Sequence, residues 1–260
     1  MSVLLQLDQV TMCFGGLTAV GEVSATVNEH ELVGLIGPNG AGKTTVFNLV
    51  TGVYQPTGGK ISFAGQPNAG LKAYQLTQRG IARTFQNIRL FPSLTVFDNV
   101  RVAFHLHLKH DAAHSLTRGP KFQREETELR ERTRELLSIF NLERVQDEPA
   151  KSLPYGDQRR LEIIRALATQ PRLLLLDEPA AGMNPSEKQE LMKLIQFIQQ
   201  KFRLAILLVE HDMKVVMGIC QRIHVLEYGR KIAEGTPAEI RACPAVIAAY
   251  LGQETQPNPA

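Results

Sequence analysis

Gly37-Pro38-Asn39-Gly40-Ala41-Gly42-Lys43-Thr44-Thr45 decides how the rest of the chain is read. An apolar run (Leu32, Val33, Leu35, Ile36) precedes it, and a helix-favouring segment with Val46, Phe47 and Val50 on one side follows. A buried strand, a glycine-rich turn and a helix start, in that order, make a phosphate-binding loop. Glycines let the backbone curl until successive N–H groups point at one anion, and the helix start adds partial positive charge. Lys43 would reach the β- and γ-phosphates, and the Thr44 hydroxyl would ligate Mg²⁺. An ordinary glycine-rich βα turn is the alternative, disfavoured by the fixed order of Gly37, Gly42, Lys43 and Thr44. The loop indicates a nucleotide and leaves the reaction open.

The 260 residues suit one large domain, or a core plus a subdomain. Apolar content is ordinary, aromatics are few and Trp is absent, so neither disorder nor a fibrous repeat is indicated. A formal charge of +3, evenly spread, excludes a nucleic-acid footprint, and the basic residues near the motifs suit an anionic nucleotide. No apolar run reaches the length of a membrane span, and the N-terminus lacks the features of a signal peptide. Cys13, Cys220 and Cys243 fit no metal or disulfide spacing and read as buried small apolar residues in a reducing compartment. These features predict a soluble cytosolic chain that meets a membrane only through a partner.

Leu4 to Val27 alternates apolar and polar residues with turn signals between, which predicts short antiparallel strands. Phe14, beside Gly15 and Gly16, is either core or a ring exposed for a base to stack on. Lys60–Phe63 reads as a strand, and Ile81 to Gln86 as another. Leu90, Phe91 and Leu94 lie in an apolar loop before a helix predicted over Val96–Leu108; the loop either docks a partner or packs inward. From about Asp111 to Asn141 the composition becomes charged and helical. Leu129, Leu136, Leu137 and Phe140 form a narrow stripe, with Glu126–Arg130 and Glu128–Arg132 paired at i,i+4 on the other side. This is an inserted helical subdomain with a solvated charged face. His105, His107, His110 and His114 lack the spacing of a zinc helix and read as surface histidines.

Chemistry gathers where buried strands stop. Leu32–Ile36 ends in the phosphate loop, Leu173–Leu176 in Asp177-Glu178, and Leu204–Val209 in Glu210-His211-Asp212. Wholly apolar strands alternating with helices imply a parallel α/β sheet, whose ligands bind outside the carboxyl ends of the strands. Adjacent residues on an extended backbone diverge, so Asp177 would hold the Mg²⁺ shell while Glu178 orients or deprotonates a water for in-line attack. His211, at the matching end of the next strand, would contact the γ-phosphate.

With Gln86, Leu153-Pro154-Tyr155-Gly156-Asp157-Gln158, Asp177-Glu178 and His211 following the phosphate loop in that order, the chain resembles the ATPase subunits of ABC transporters from about Leu4 to Gly252. The resemblance implies a P-loop NTPase (RecA-like) α/β core of mainly parallel sheet flanked by helices. It adds an N-terminal antiparallel β subdomain and an inserted α-helical subdomain. Residues 4–90 and 160–252 would form the core, about 91–159 the helical subdomain, and 253–260 a flexible tail.

It also implies ATP and Mg²⁺ as cofactors and a head-to-tail dimer with a second cassette, a paralogue or another copy. Each ATP would lie between Gly37–Thr45 of one subunit and the signature residues Leu153, Tyr155, Gly156 and Asp157 of the other. Phe14 then matches the ring that stacks on adenine, and Gln86 the residue that touches metal and attacking water. Asn184 falls where the family commonly has an aspartate at the subunit crossing. The loop at Phe91 and the helical insert would take the coupling helix of a permease. Pro154 and Tyr155 depart from the usual Leu-Ser-Gly-Gly-Gln; proline has neither hydroxyl nor N–H, so Gly156 N–H and the following helix start would hold the anion.

Finer resemblance comes from Leu153–Ile163, Glu178–Pro185, Glu210–Met217 and the ending Pro244–Gly252, which look like the LivG-type subunits of branched-chain amino acid importers. This implies an ATPase at the cytoplasmic face of the cell membrane, working with two transmembrane permease subunits and, indirectly, a solute-binding protein. A lipid or lipopolysaccharide exporter ATPase and an importer of another amino acid or amide are the alternatives. A soluble cassette protein acting on DNA or ribosomes lacks support, as there is no second cassette or coiled-coil insert. A small-molecule kinase leaves the signature and His211 unexplained.

Overall fold

A computed structural model describes residues 2–104, 106 and 120–251. Two long strands open the chain, β1 (Val3–Phe14) and β2 (Leu17–Asn28), followed by β3 (Leu32–Ile36), which feeds α1 (Lys43–Val50). Then come β4 (Gly58–Phe63), β5 (Gln66–Pro67), α2 (Ala73–Gln78) and β6 (Ile81–Arg83). The insert holds α3 (Val96–Phe104) and α4 (Pro120–Ile139) and leads to α5 (Tyr155–Ala168). β7 (Leu173–Asp177), α6 (Pro185–Phe202), β8 (Ala205–Val209) and α7 (Met213–Ile219) complete the α/β alternation. β9 (Arg222–Glu227), β10 (Arg230–Gly235), α8 (Pro237–Ala242) and α9 (Pro244–Leu251) end it.

Among the described residues the strands form a four-stranded sheet ordered β2-β1-β4-β5 and a six-stranded sheet ordered β10-β9-β3-β8-β7-β6. The first is antiparallel; the second is parallel except for β10 at its edge. Strand periodicity explains the layers. Leu32 and Ile36 of β3, Leu174 and Leu176 of β7, and Ile206 and Leu208 of β8 face one core with α5, α6 and α7. Their alternates Val33, Leu35, Leu173, Leu175, Leu207 and Val209 face a second core with α1 and the antiparallel sheet. A strand covered on both faces has to be apolar throughout, which is how these three read in the sequence.

The insert is closed at its base by main-chain bonds, Val96 N–H to Glu148 O (2.9 Å) and Ala150 N–H to Leu94 O (2.9 Å). Leu129, Leu136, Leu137 and Phe140 are buried, and the expected pairs form, Arg130–Glu126 at 3.3 Å and Arg132–Glu128 at 2.6 Å. Of the apolar loop, Phe91 and Leu94 are exposed, while Leu90 packs against the core.

Several expectations change. Leu4–Val27 forms two twelve-residue strands, because register shifts absorb the breaks that read as turns. The strand expected to reach Gln86 stops at Arg83, since side chains of α5 capture the main chain of Phe85 and Gln86. The boundary expected at 159/160 falls inside α5, an unbroken helix shared by core and insert. Of the three cysteines only Cys220 is buried; Cys13 and Cys243 are half-exposed. His105, His107, His110, His114, the end of the helix expected to reach Leu108, and the tail 253–260 lie outside the described residues. No helix among the described residues is long and apolar enough to cross a membrane.

Candidate active site

The phosphate loop is pressed between the two sheets. Gly37 and Gly42 have φ of +150° and +97°, and a Cβ there would lie 2.0 Å from Leu226 O and 2.6 Å from Ala19 O, so only glycine fits. Gly42 caps α1 without a side-chain bond, and the first turn holds no acid. The amide donors at that helix start are left for an anion. Lys43 is buried, and its Nζ donates to Gly37 O at 2.7 Å and Pro38 O at 2.9 Å. Burial lowers its pKa, against which Glu178 and Asp177 act. Phosphate oxygens would be stronger partners for that ammonium than two neutral carbonyls. Residues Asn39 to Thr45, with Gln86, Glu178 and His211, line one cleft of about 550 Å³.

Asp177 and Glu178 diverge because Asp177 is the last residue of β7 and Glu178 already turns out of the strand. Asp177 turns into the protein, where its Oδ2 accepts from Arg83 Nη2 at 2.6 Å. Arg83 also donates to Asn48 Oδ1 at 2.6 Å and lies over the rings of Phe47 and Phe85, at 5.3 and 5.0 Å from their centroids. Glu178 has φ +48°, in the left-handed region that costs a side-chain-bearing residue about 1–2 kcal/mol. Its N–H donates to Val209 O at 2.9 Å, which holds that turn. Both carboxylate oxygens are held: Gln86 Nε2 donates to Oε2 at 2.8 Å, and His211 Nε2 lies 2.6 Å from Oε1. Because a carboxylate only accepts, the imidazole hydrogen belongs on Nε2. A carboxylate so fixed, facing a phosphate loop, can orient and accept a proton from water.

The loop ends are themselves anchored. Buried Glu210 accepts the N–H of Ala180 at 2.7 Å and that of His211 at 3.2 Å, and burial pushes its pKa up. Asp212 caps α7 through the N–H of Lys214 and takes Lys188 Nζ at 2.7 Å.

Other expected residues lie away from this cleft. Phe14 is exposed at the end of β1, edge-on to Tyr54 with centroids 5.2 Å apart, while Leu17 and Thr18 of the next strand line the cleft. Leu153 is buried in the core, so its side chain cannot meet a ligand across a subunit boundary. Tyr155 is exposed, and open space surrounds the Cβ position of Gly156. Asp157 lies 3.6 Å from Arg160. Asn184 caps α6, its Oδ1 accepting Glu187 N–H at 3.0 Å while Glu187 accepts Asn184 N–H at 2.8 Å. Arg83 was not among the residues singled out, and Glu210 was named only within the strand-end run Glu210–Asp212 with no role of its own, because a charged letter in a sequence carries no sign of being buried.

Residues 20–181 match the family model described as ABC transporter, and residues 230–255 match one described as branched-chain amino acid ATP-binding cassette transporter. Over 250 residues the chain is 49% identical to the high-affinity branched-chain amino acid transport ATP-binding protein LivG of Salmonella typhimurium, covering 96% of this chain and 98% of the relative. With the same coverage it is 34% identical to the lipopolysaccharide export system ATP-binding protein LptB of Haemophilus influenzae. The ADP conformation of MJ1267, an ATP-binding cassette of an ABC transporter, matches with TM-score 0.83 and 27% identity over 97% of this chain and 100% of that one. A dimeric post-hydrolysis cassette, MJ0796 bound to ADP and Pi, matches with TM-score 0.75 and 26% identity over 90% and 98%.

Proposed function

The chain belongs to the ABC transporter ATP-binding family, and on that premise we propose that it is the ATP-hydrolysing subunit of an importer for branched-chain amino acids. The observation that carries the reading is Glu178, held between Gln86 and His211 opposite the phosphate loop. The solute class rests on likeness along nearly the whole chain, closer to the importer subunit than to the exporter subunit.

In this reading ATP enters the cleft with its phosphates on the amides of Gly40 and of Gly42 to Thr45, the Ala41 N–H being turned to Pro38 O. Lys43 leaves the carbonyls of Gly37 and Pro38 for the β- and γ-phosphates, a charge-assisted exchange. Phe14, exposed and edge-on to Tyr54 just before the strand whose Leu17 and Thr18 line the cleft, is the ring on which the base would stack. Glu178 orients the attacking water and accepts its proton, while Gln86 and His211 fix both carboxylate oxygens. His211, largely exposed, can turn its ring edge toward the γ-phosphate as the cleft fills.

Thr44 and Gln86 line the cleft and offer oxygen donors suited to Mg²⁺, which would neutralise charge on the β- and γ-phosphates, while Asp177, paired with Arg83, would hold the ion's water shell. Among the described residues no group of three His, Cys, Asp or Glu could hold a metal alone. That suits an ion that keeps water and phosphate oxygens in its shell.

A second cassette completes each pocket through the exposed Tyr155, Gly156 N–H and Asp157. The exposed Phe91 and Leu94 and the helical insert face the permease on the cytoplasmic side of the membrane. The test is ATPase activity of the chain co-purified with its permease subunits in lipid vesicles containing solute-binding protein. Stimulation by leucine, isoleucine or valine is expected. Stimulation only by another amino acid or an amide would reassign the solute, and stimulation by lipopolysaccharide alone would overturn the importer reading.

A further inference from the structure

The helix that follows the signature grips the loop carrying Gln86. Arg159 is 2% exposed, one turn after Tyr155 and one before Glu162 on the same face of α5. Its Nη1 donates to Phe85 O at 2.6 Å and to Glu162 Oε2 at 3.1 Å, and its Nη2 donates to Gln86 O. Glu162 Oε1 accepts the N–H groups of Phe85 and Arg89, each at 3.3 Å. On the other side, Arg159 Nε donates to the Tyr155 hydroxyl at 3.2 Å, and that hydroxyl donates to Ala181 O at 3.2 Å. The Tyr155 ring edge lies 3.7 Å from the Cβ position of Gly182.

The connections close a ring. Gln86 reaches Glu178 through its side chain, Glu178 leads to Ala181 through the main chain, and Ala181 returns to Gln86 through Tyr155 and Arg159. A guanidinium taken fully out of water is a poor way to stabilise a core, because apolar side chains of equal volume do so as well or better. What it supplies is a rigid planar fork that fixes two consecutive carbonyls at once.

We propose that Tyr155 and Arg159 are a positioning pair that holds Gln86 against Glu178, so that the signature presented to the partner's nucleotide also sets the hydrolytic geometry of its own chain. The cross-site half rests on the reading that residues 155–157 face the partner's ATP. Tyr155 stands where the family signature has glycine, so the hydroxyl supplies a link that glycine cannot.

The experiment is a double-mutant cycle on ATPase activity in the assembled transporter, with Tyr155→Phe, Gln86→Ala and the double variant. Tyr155→Phe removes one oxygen from an exposed side chain and leaves the fold intact. It is expected to lower kcat roughly five- to twenty-fold with KM for ATP unchanged, since a misplaced catalytic group costs rate rather than binding. In the Gln86→Ala background the same change should cost nothing further. Independent, multiplicative effects, or a rise in KM with kcat intact, would overturn the pair. Arg159→Lys should lower kcat as Tyr155→Phe does, as it keeps the charge and loses the fork. Gly156→Asp combined with Glu178→Gln tests the underlying reading separately: an ATP-induced dimer that persists would remove the signature from the partner's site, and the cross-site half of the proposal with it.

Discussion

Replacing Arg83 by leucine should unmask the charge of Asp177. The two side chains are 7% and 6% exposed and meet at 2.6 Å. Truncating one partner of a buried pair leaves the other charge uncompensated, a loss of about 3–5 kcal/mol. The bond to Asn48 adds about 1 kcal/mol, offset in part because leucine still fills apolar space beside Phe47 and Phe85. A net loss of about 4 kcal/mol, at an m-value of about 3 kcal/mol/M, moves the urea midpoint of the nucleotide-free protein down by about 1.3 M. The control is Arg83→Leu with Asp177→Asn. Removing both charges is close to neutral where removing one is costly, so the double variant should recover most of the midpoint. Adding Mg²⁺ and ATP should raise the midpoint of Arg83→Leu more than that of the parent, because the ligand brings positive charge back to Asp177. A shift below about 0.4 M, or a double variant as unstable as Arg83→Leu alone, would refute the reasoning.

Glu178→Gln should keep nucleotide binding and lower turnover by at least about a hundredfold, the lower range for a general base, and should trap the ATP-bound dimer on size-exclusion chromatography; unchanged turnover would reject its role. Lys43→Ala removes a charge-assisted contact to phosphate and should weaken ATP binding by about a hundredfold, read by equilibrium titration, while the apo-protein stays folded. Glu210 has its pKa raised by burial above the ordinary 4.5. A carboxyl raised in the folded state binds its proton more tightly there than when unfolded, so stability falls as pH climbs from the ordinary value through the raised one. Glu210→Gln keeps an oxygen for the Ala180 N–H and should flatten that part of the stability–pH curve, measured by urea midpoints from pH 4 to 8. An unchanged slope would place the dependence elsewhere.

The architecture was legible wherever the signal was local. Leu173–Leu176 and Leu204–Val209 read as doubly buried strands because every position is apolar, and the structure shows alternate residues divided between two cores. The start of α6 is equally local: Asn184 caps the helix and Pro185 opens its first turn, two neighbours in the chain. Phe14 stayed open between core and surface, because one ring beside two glycines carries no information about what faces it. Asn184, expected at a subunit crossing, has its side-chain oxygen committed to its own helix. Leu153, expected at the partner's nucleotide, is a core residue, since the signature begins where the chain is still buried.

The sequence by itself determined the phosphate loop, the acids at the strand ends and the order of the sheet–helix units, since each follows from residues within a few positions of one another. Tertiary structure alone decided which distant groups the buried guanidinium groups meet. Arg83 finds Asp177 across 94 residues, and Arg159 finds Gln86 across 73. In water such side chains are equivalent; burial makes each depend on the groups that compensate it, and the distant ones among them are chosen by the fold.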